Sequence, residues 1–98
     1  EYIPSPSVII SYICKYFSVE EDVLRGQRRG RNEVNARQIA MYLAKQHTKA
    51  PLTTIGAAIG GRNHATVLHS CKAVTNLIET DKAFRRQVEE IEKKVLAQ

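Results

Sequence analysis

The sequence predicts a single all-α domain of about six helices, with a helix-turn-helix embedded over residues 52–79. Three observations carry that expectation. Apolar residues recur at helical spacing along the chain, the adjacent glycines Gly60 and Gly61 divide a short periodic stretch from a long one, and the long one opens with a polar turn before its apolar stripe begins. With 98 residues there is room for one core, which at this size buries somewhat over ~60% of the unfolded chain's surface.

Residues 1–7, with Pro4 and Pro6, read as an extended lead-in, and Ser5 or Ser7 is placed to cap the first helix. That helix runs to about Phe17. Ile9, Ile10, Ile13, Cys14, Tyr16 and Phe17 cover more than one of its faces, as expected of a core helix with a second contact surface. SVEEDVLRG gives one or two helical turns, starting near Ser18 or Glu20, turned inward at Val23 and Leu24 and ended by Gly26. The run QRRGRNEVNARQ has no apolar residue before Val34 and reads as an arginine-rich loop. From about Asn35 to His47, Ala36, Ile39, Ala40, Leu43 and Ala44 make a core stripe, with Arg37, Gln38, Met41, Lys45 and Gln46 on the opposite face. Pro51 stops that helix. Thr53 or Thr54 is placed to cap the short helix that follows, which Ile55 and Ile59 anchor and in which Gly56 lets a neighbouring helix approach closely. A last helix from about Asp81 carries Phe84, Val88, Ile91 and Val95 on one face and closes the core.

The stretch from Leu52 to Leu68, LTTIGAAIGGRNHATVL, organises the rest. Leu52, Ile55, Ala58 and Ile59 make the short helix, Gly60 and Gly61 the turn, and Asn63 can cap a second helix. The apolar stripe of that helix, through Val67, Cys71, Val74 and Ile78, leaves Arg62, His64, Ala65 and Thr66 unburied at its start. In a helix-turn-helix such a helix enters the major groove N-terminus first. The run IGAAIGGRNHATVLHSCKAV resembles the signature of the C-terminal DNA-binding domain of the bacterial replication-initiator DnaA family: an isoleucine-glycine start, GGRDH, then Ser or Thr, Thr and Val. The resemblance extends over roughly Val8 to Leu77, and departs from the pattern at Asn63, usually Asp, and Ala65, usually Thr or Ser. It implies a Trp-repressor-like fold that binds DnaA boxes, asymmetric nonamers repeated at the bacterial origin, and so initiates and regulates chromosomal replication. It implies that ATP is held by a separate ATPase domain outside this chain, with no cofactor here. An arginine of the family's loop enters the minor groove, a role that falls on Arg29.

Charge points the same way. The net charge is +5, and Arg25 to Lys72 holds nine basic residues against the single acid Glu33, whereas the chain from Glu79 onward has five of each sign. A polyanion partner fits that concentration. The candidate base contacts are Arg29, Asn63, His64 and Ala65. Ala65 offers only a methyl to a thymine methyl, and Asn63, unlike an acceptor-only Asp, both donates and accepts and suits adenine N6/N7, unless capping is its main task. The candidate backbone contacts are Arg28, Arg31, Arg37, Gln38 and Lys45 from the loop and third helix. Leu52, Thr53, Arg62, Thr66 and Lys72 supply the others, Arg62 also having the donors for a guanine.

Other functions find little support. GGRNHAT lacks the Lys-Ser or Lys-Thr of a phosphate-binding loop, no carboxylate pair or activated nucleophile is evident, and His64, His69 and Cys71 do not converge as metal ligands, so the chain reads as neither enzyme nor zinc protein. Cys14 and Cys71 read as reduced core thiols. No signal peptide or apolar run of about 20 residues is present, giving a cytoplasmic, nucleoid-associated expectation. The missing initiator methionine fits a piece of a longer protein, and processing of the chain would explain it equally well. A single module on an asymmetric site needs no dimer, so a monomer is expected, alongside the other domains of an initiator. The alternatives are a transcription regulator with another operator, and a module whose Arg28–Arg31 segment meets an acidic protein or acidic phospholipid near the first helix.

Overall fold

The computed structural model describes residues 3–97. Six helices follow in order: α1 (Pro6–Phe17), α2 (Glu21–Arg25), α3 (Arg31–His47), α4 (Leu52–Ala58), α5 (His64–Thr80) and α6 (Lys82–Leu96). Helix α3 is the centre of the domain. It packs most extensively on α5 and α1, and α2 and α4 cover it further. The core stripe expected for α3 is buried, and so are Met41 (2% exposed) and Arg37 (6% exposed), which the periodicity had set on the outer face. A helix enclosed by four others has no free face at that height, so residue type no longer reports orientation.

Helix starts follow local chemistry. At α1 the Ser5 hydroxyl accepts from the Val8 amide at 3.3 Å and Pro6 occupies the first turn, where its missing N–H costs nothing. At α6 the Asp81 carboxylate accepts from the Phe84 amide at 3.1 Å, and Val88, Ile91 and Val95 of that helix close the core. Helix α3 begins at Arg31, a turn earlier than the expected Asn35. Gly30 takes the N-cap position and Glu33 puts an acid in the first turn, where it favours the helix dipole. The loop therefore shrinks to residues 27–30. At α4 the N-cap position is held by Pro51, without a side-chain hydrogen bond, and Thr53 and Thr54 lie exposed inside the helix and cap nothing.

One tie had no local sequence signal. His47 Nε2 meets Glu92 Oε2 at 2.6 Å, pinning the end of α3 to α6 across 45 residues of chain. No helix among the described residues is long and apolar enough to cross a membrane.

Cys14 and Cys71 are free thiols in the core. Burial pushes both up from their ordinary value, with Glu21 adding to the rise at Cys14 and Lys45 opposing it at Cys71. The folded state therefore holds these protons more tightly than the unfolded chain does. The stability they contribute is fully present below the unfolded thiol pKa of about 8.5 and is lost as pH rises through the folded values. Iodoacetamide at pH 8 is expected to label neither thiol appreciably in the native domain and both rapidly in denaturant. Urea midpoints are expected to fall from pH 7.5 to pH 10.

Candidate nucleic-acid interface

The connection between α4 and α5 is built from glycine and closed by arginine. Gly60 and Gly61 both have φ near +77 and +76, the left-handed region that side-chain-bearing residues avoid. A Cβ on Gly60 would lie 2.0 Å from the Arg25 carbonyl oxygen, so the turn sits directly on the end of α2. Gly56 serves a related approach: a Cβ there would lie 1.9 Å from the Arg62 carbonyl oxygen, and the Gly56 carbonyl accepts from the Arg62 amide at 2.9 Å. The close approach at Gly56 is therefore by the turn at Arg62, where a neighbouring helix was expected.

Arg62 and Arg37 correct the sequence reading. Arg62 Nη1 donates to the Ile59 carbonyl at 2.6 Å and the Arg25 carbonyl at 3.2 Å, and Nη2 donates to the Gly26 carbonyl. Arg37 Nε donates to the Leu24 carbonyl at 2.6 Å and Nη2 to the Val23 carbonyl at 3.2 Å. Arg25 in turn donates from Nε to the Ala58 carbonyl at 3.1 Å. The reason is geometric. Helix α2 has five residues, so the Val23 carbonyl meets only the C-cap Gly26 amide and the carbonyls after it lie past the last helical donor. Guanidinium forks satisfy them, and positive charge at a helix C-terminus is favoured by its dipole. Burial lowers both the Arg62 and Arg37 pKa values, and the neighbouring Arg62 adds to the effect at Arg37. Neither side chain is the free surface cation that phosphate binding was expected to use.

That clamp fixes the arginine loop beside the helix-turn-helix. Gly26 is held by Arg62, and Arg29 follows three residues on, within about 10 Å of chain. Arg28, Arg29 and Arg31 are all exposed, Arg31 as the first residue of α3.

Helix α5 then starts as a helix does under an asparagine cap. Asn63 Oδ1 accepts from the Thr66 amide at 2.8 Å. His64, Ala65 and Thr66 are exposed in the first turn, and burial begins at Val67. Further along, Lys45 of α3 and Lys72 of α5 line one groove together with Gln46, Leu68, Thr75 and Asn76. Gln38 and Leu52 are half-buried and Thr53 is exposed. Of the predicted contacts, the structure thus leaves the loop arginines, the first turn of α5 and the Lys45–Lys72 pair accessible, and turns Arg37 and Arg62 inward.

Leu68 was missed. It is 38% exposed, one turn after His64 and Ala65 and one before Lys72 on the same face of α5. The signal was present: Leu68 is apolar yet lies off the Val67, Cys71, Val74 stripe, and a large apolar side chain on a groove-facing helix can meet a thymine methyl.

Comparison with known proteins agrees with this geometry. The family described as bacterial dnaA protein helix-turn-helix matches residues 6–74. The chain is 51% identical over 92 residues to a chromosomal replication initiator protein DnaA of Flavobacterium psychrophilum, covering 90% of this chain and 19% of that protein. The corresponding protein of Bacteroides fragilis is 49% identical over 84 residues, covering 86% of this chain and 18% of the relative. That of Crocosphaera subtropica is 38% identical over 91 residues, covering 93% and 20%. The chain spans about a fifth of the length of the curated relatives it matches.

Proposed function

The chain belongs to the bacterial DnaA helix-turn-helix family, and on that premise we propose that it binds double-stranded DNA sequence-specifically at DnaA boxes, delivering a replication initiator to the origin. The observation that carries this reading is the exposed first turn of α5, capped by Asn63 and clamped by Arg62 beside the arginine loop. His64, Ala65 and Asn63 read base edges in the major groove, and Leu68 adds apolar contact one turn later. Arg29 enters the adjacent minor groove, whose negative potential favours guanidinium where A·T pairs narrow it. Arg28, Arg31, Lys45 and Lys72 neutralise phosphates, while Gln38, Leu52, Thr53 and Thr66 position the backbone. The remaining domains of the initiator, ATP binding among them, act from outside this chain.

Fluorescence anisotropy on a labelled box duplex and a scrambled duplex tests the reading. A preference of about 10³-fold or more at physiological salt is expected, and equal weak binding to both would refute site recognition. The same titration repeated over a salt series reads the phosphate count. Four phosphate cations give a slope of log K against log salt of about −4, whereas a slope near −5.5 would mean that Arg37 and Arg62 also reach phosphates.

A further inference from the structure

We infer that Asn63 reads its base pair as a donor only, selecting guanine O6/N7 or thymine O4 over the cytosine amino group, with adenine offering it N7 alone. The inference rests on the proposed DNA binding and deepens it. An asparagine side chain has one acceptor oxygen and one donor amide nitrogen. At Asn63 the oxygen is committed: Oδ1 accepts from the Thr66 amide at 2.8 Å, and backbone φ −78 and ψ 167 hold the residue in the N-cap conformation. The assignment of oxygen and nitrogen is fixed by chemistry, since an amide N–H cannot bond to the donor NH2 group. With Oδ1 turned back onto the helix, the trigonal amide carbon turns Nδ2 away from the group being capped. Asn63 is exposed, and nothing among the described residues accepts from Nδ2.

Bidentate pairing with adenine needs Oδ1 and Nδ2 side by side on one base, accepting from N6 and donating to N7. A capping Asn63 does not present that pair. What it presents is two N–H donors, which match guanine O6 and N7 or thymine O4 and find no acceptor on the cytosine amino group. An aspartate at the same position caps the helix equally well and faces outward with an acceptor oxygen. The choice between Asn and Asp is therefore nearly silent for folding and opposite in sign for recognition.

The test measures the unmodified domain and Asn63→Asp on the box duplex and on duplexes carrying each single base-pair change, with binding expressed relative to the box within each protein. That ratio removes the uniform loss caused by a new negative charge near phosphates. At one position the unmodified domain is expected to favour the orientation that offers it a keto edge by about tenfold, and Asn63→Asp to reverse that preference toward an amino edge. Thermal stability is expected to be unchanged by the substitution. If the unmodified domain prefers the box over scrambled DNA but Asn63→Asp keeps the same order of preference at every position, Asn63 is a cap alone and the inference fails by itself. If the unmodified domain does not distinguish box from scrambled DNA, the inference and the reading beneath it both fall.

Discussion

Replacing Arg37 with alanine is expected to lower the free energy of unfolding by about 3 kcal/mol, because two hydrogen bonds from a charged donor are lost and the Leu24 carbonyl at the end of α2 is left in the interior without a partner, while the Val23 carbonyl keeps only the Gly26 amide. For a domain of this size that is a fall in Tm of roughly 12–24 °C, readily followed by circular dichroism. At temperatures where the variant is folded, the salt slope of DNA binding is expected to stay within experimental error of the unmodified domain. The pairing of outcomes discriminates. An exposed phosphate contact behaves the other way, with stability moving by no more than about 0.5 kcal/mol and the slope becoming shallower by about 0.9. That result would return Arg37 to the surface.

Arg29→Ala combined with His64→Ala is expected to show the reverse pattern. Both side chains are exposed, so Tm should change little. Each contact with a base contributes roughly 1–3 kcal/mol of discrimination, so the double variant should bind the box about 10²- to 10⁴-fold more weakly while its affinity for scrambled DNA falls far less. Anisotropy on both duplexes measures the difference. Unchanged box affinity would favour a protein or phospholipid partner for the arginine segment.

The contrast between these two arginines marks how far the sequence could be read. Short-range chemistry was legible: the Ser5 cap, the start of the last helix near Asp81, the Gly60–Gly61 turn, the stripes of α3 and α6, and the polar first turn of α5 all follow from residue types at fixed offsets. What was hidden depended on needs created elsewhere in the chain. Arg37 and Arg62 look like surface cations until a five-residue helix is placed beside them with carbonyls that require donors. His47 gave no sign of Glu92, because nothing local links positions so far apart. The early start of α3 was obscured because Arg31 and Asn32 carry no apolar period, and the helix there is set by Gly30 and Glu33. That Asn63 can cap with its oxygen and leave its amide free emerged only when the oxygen acquired a partner, since the sequence treated capping and base reading as rivals.

The Arg62 clamp also bears on how fast the domain finds its site. Because the glycine turn is already locked to the end of α2, no segment of the turn has to be ordered during the encounter. Association is then governed by diffusion and by the field of the loop arginines, the regime in which charge steering accelerates collision most strongly at low ionic strength. On the proposed reading, differences between boxes of varying sequence are left to dissociation, so the lifetime of each complex, rather than its rate of formation, would rank the sites along an origin.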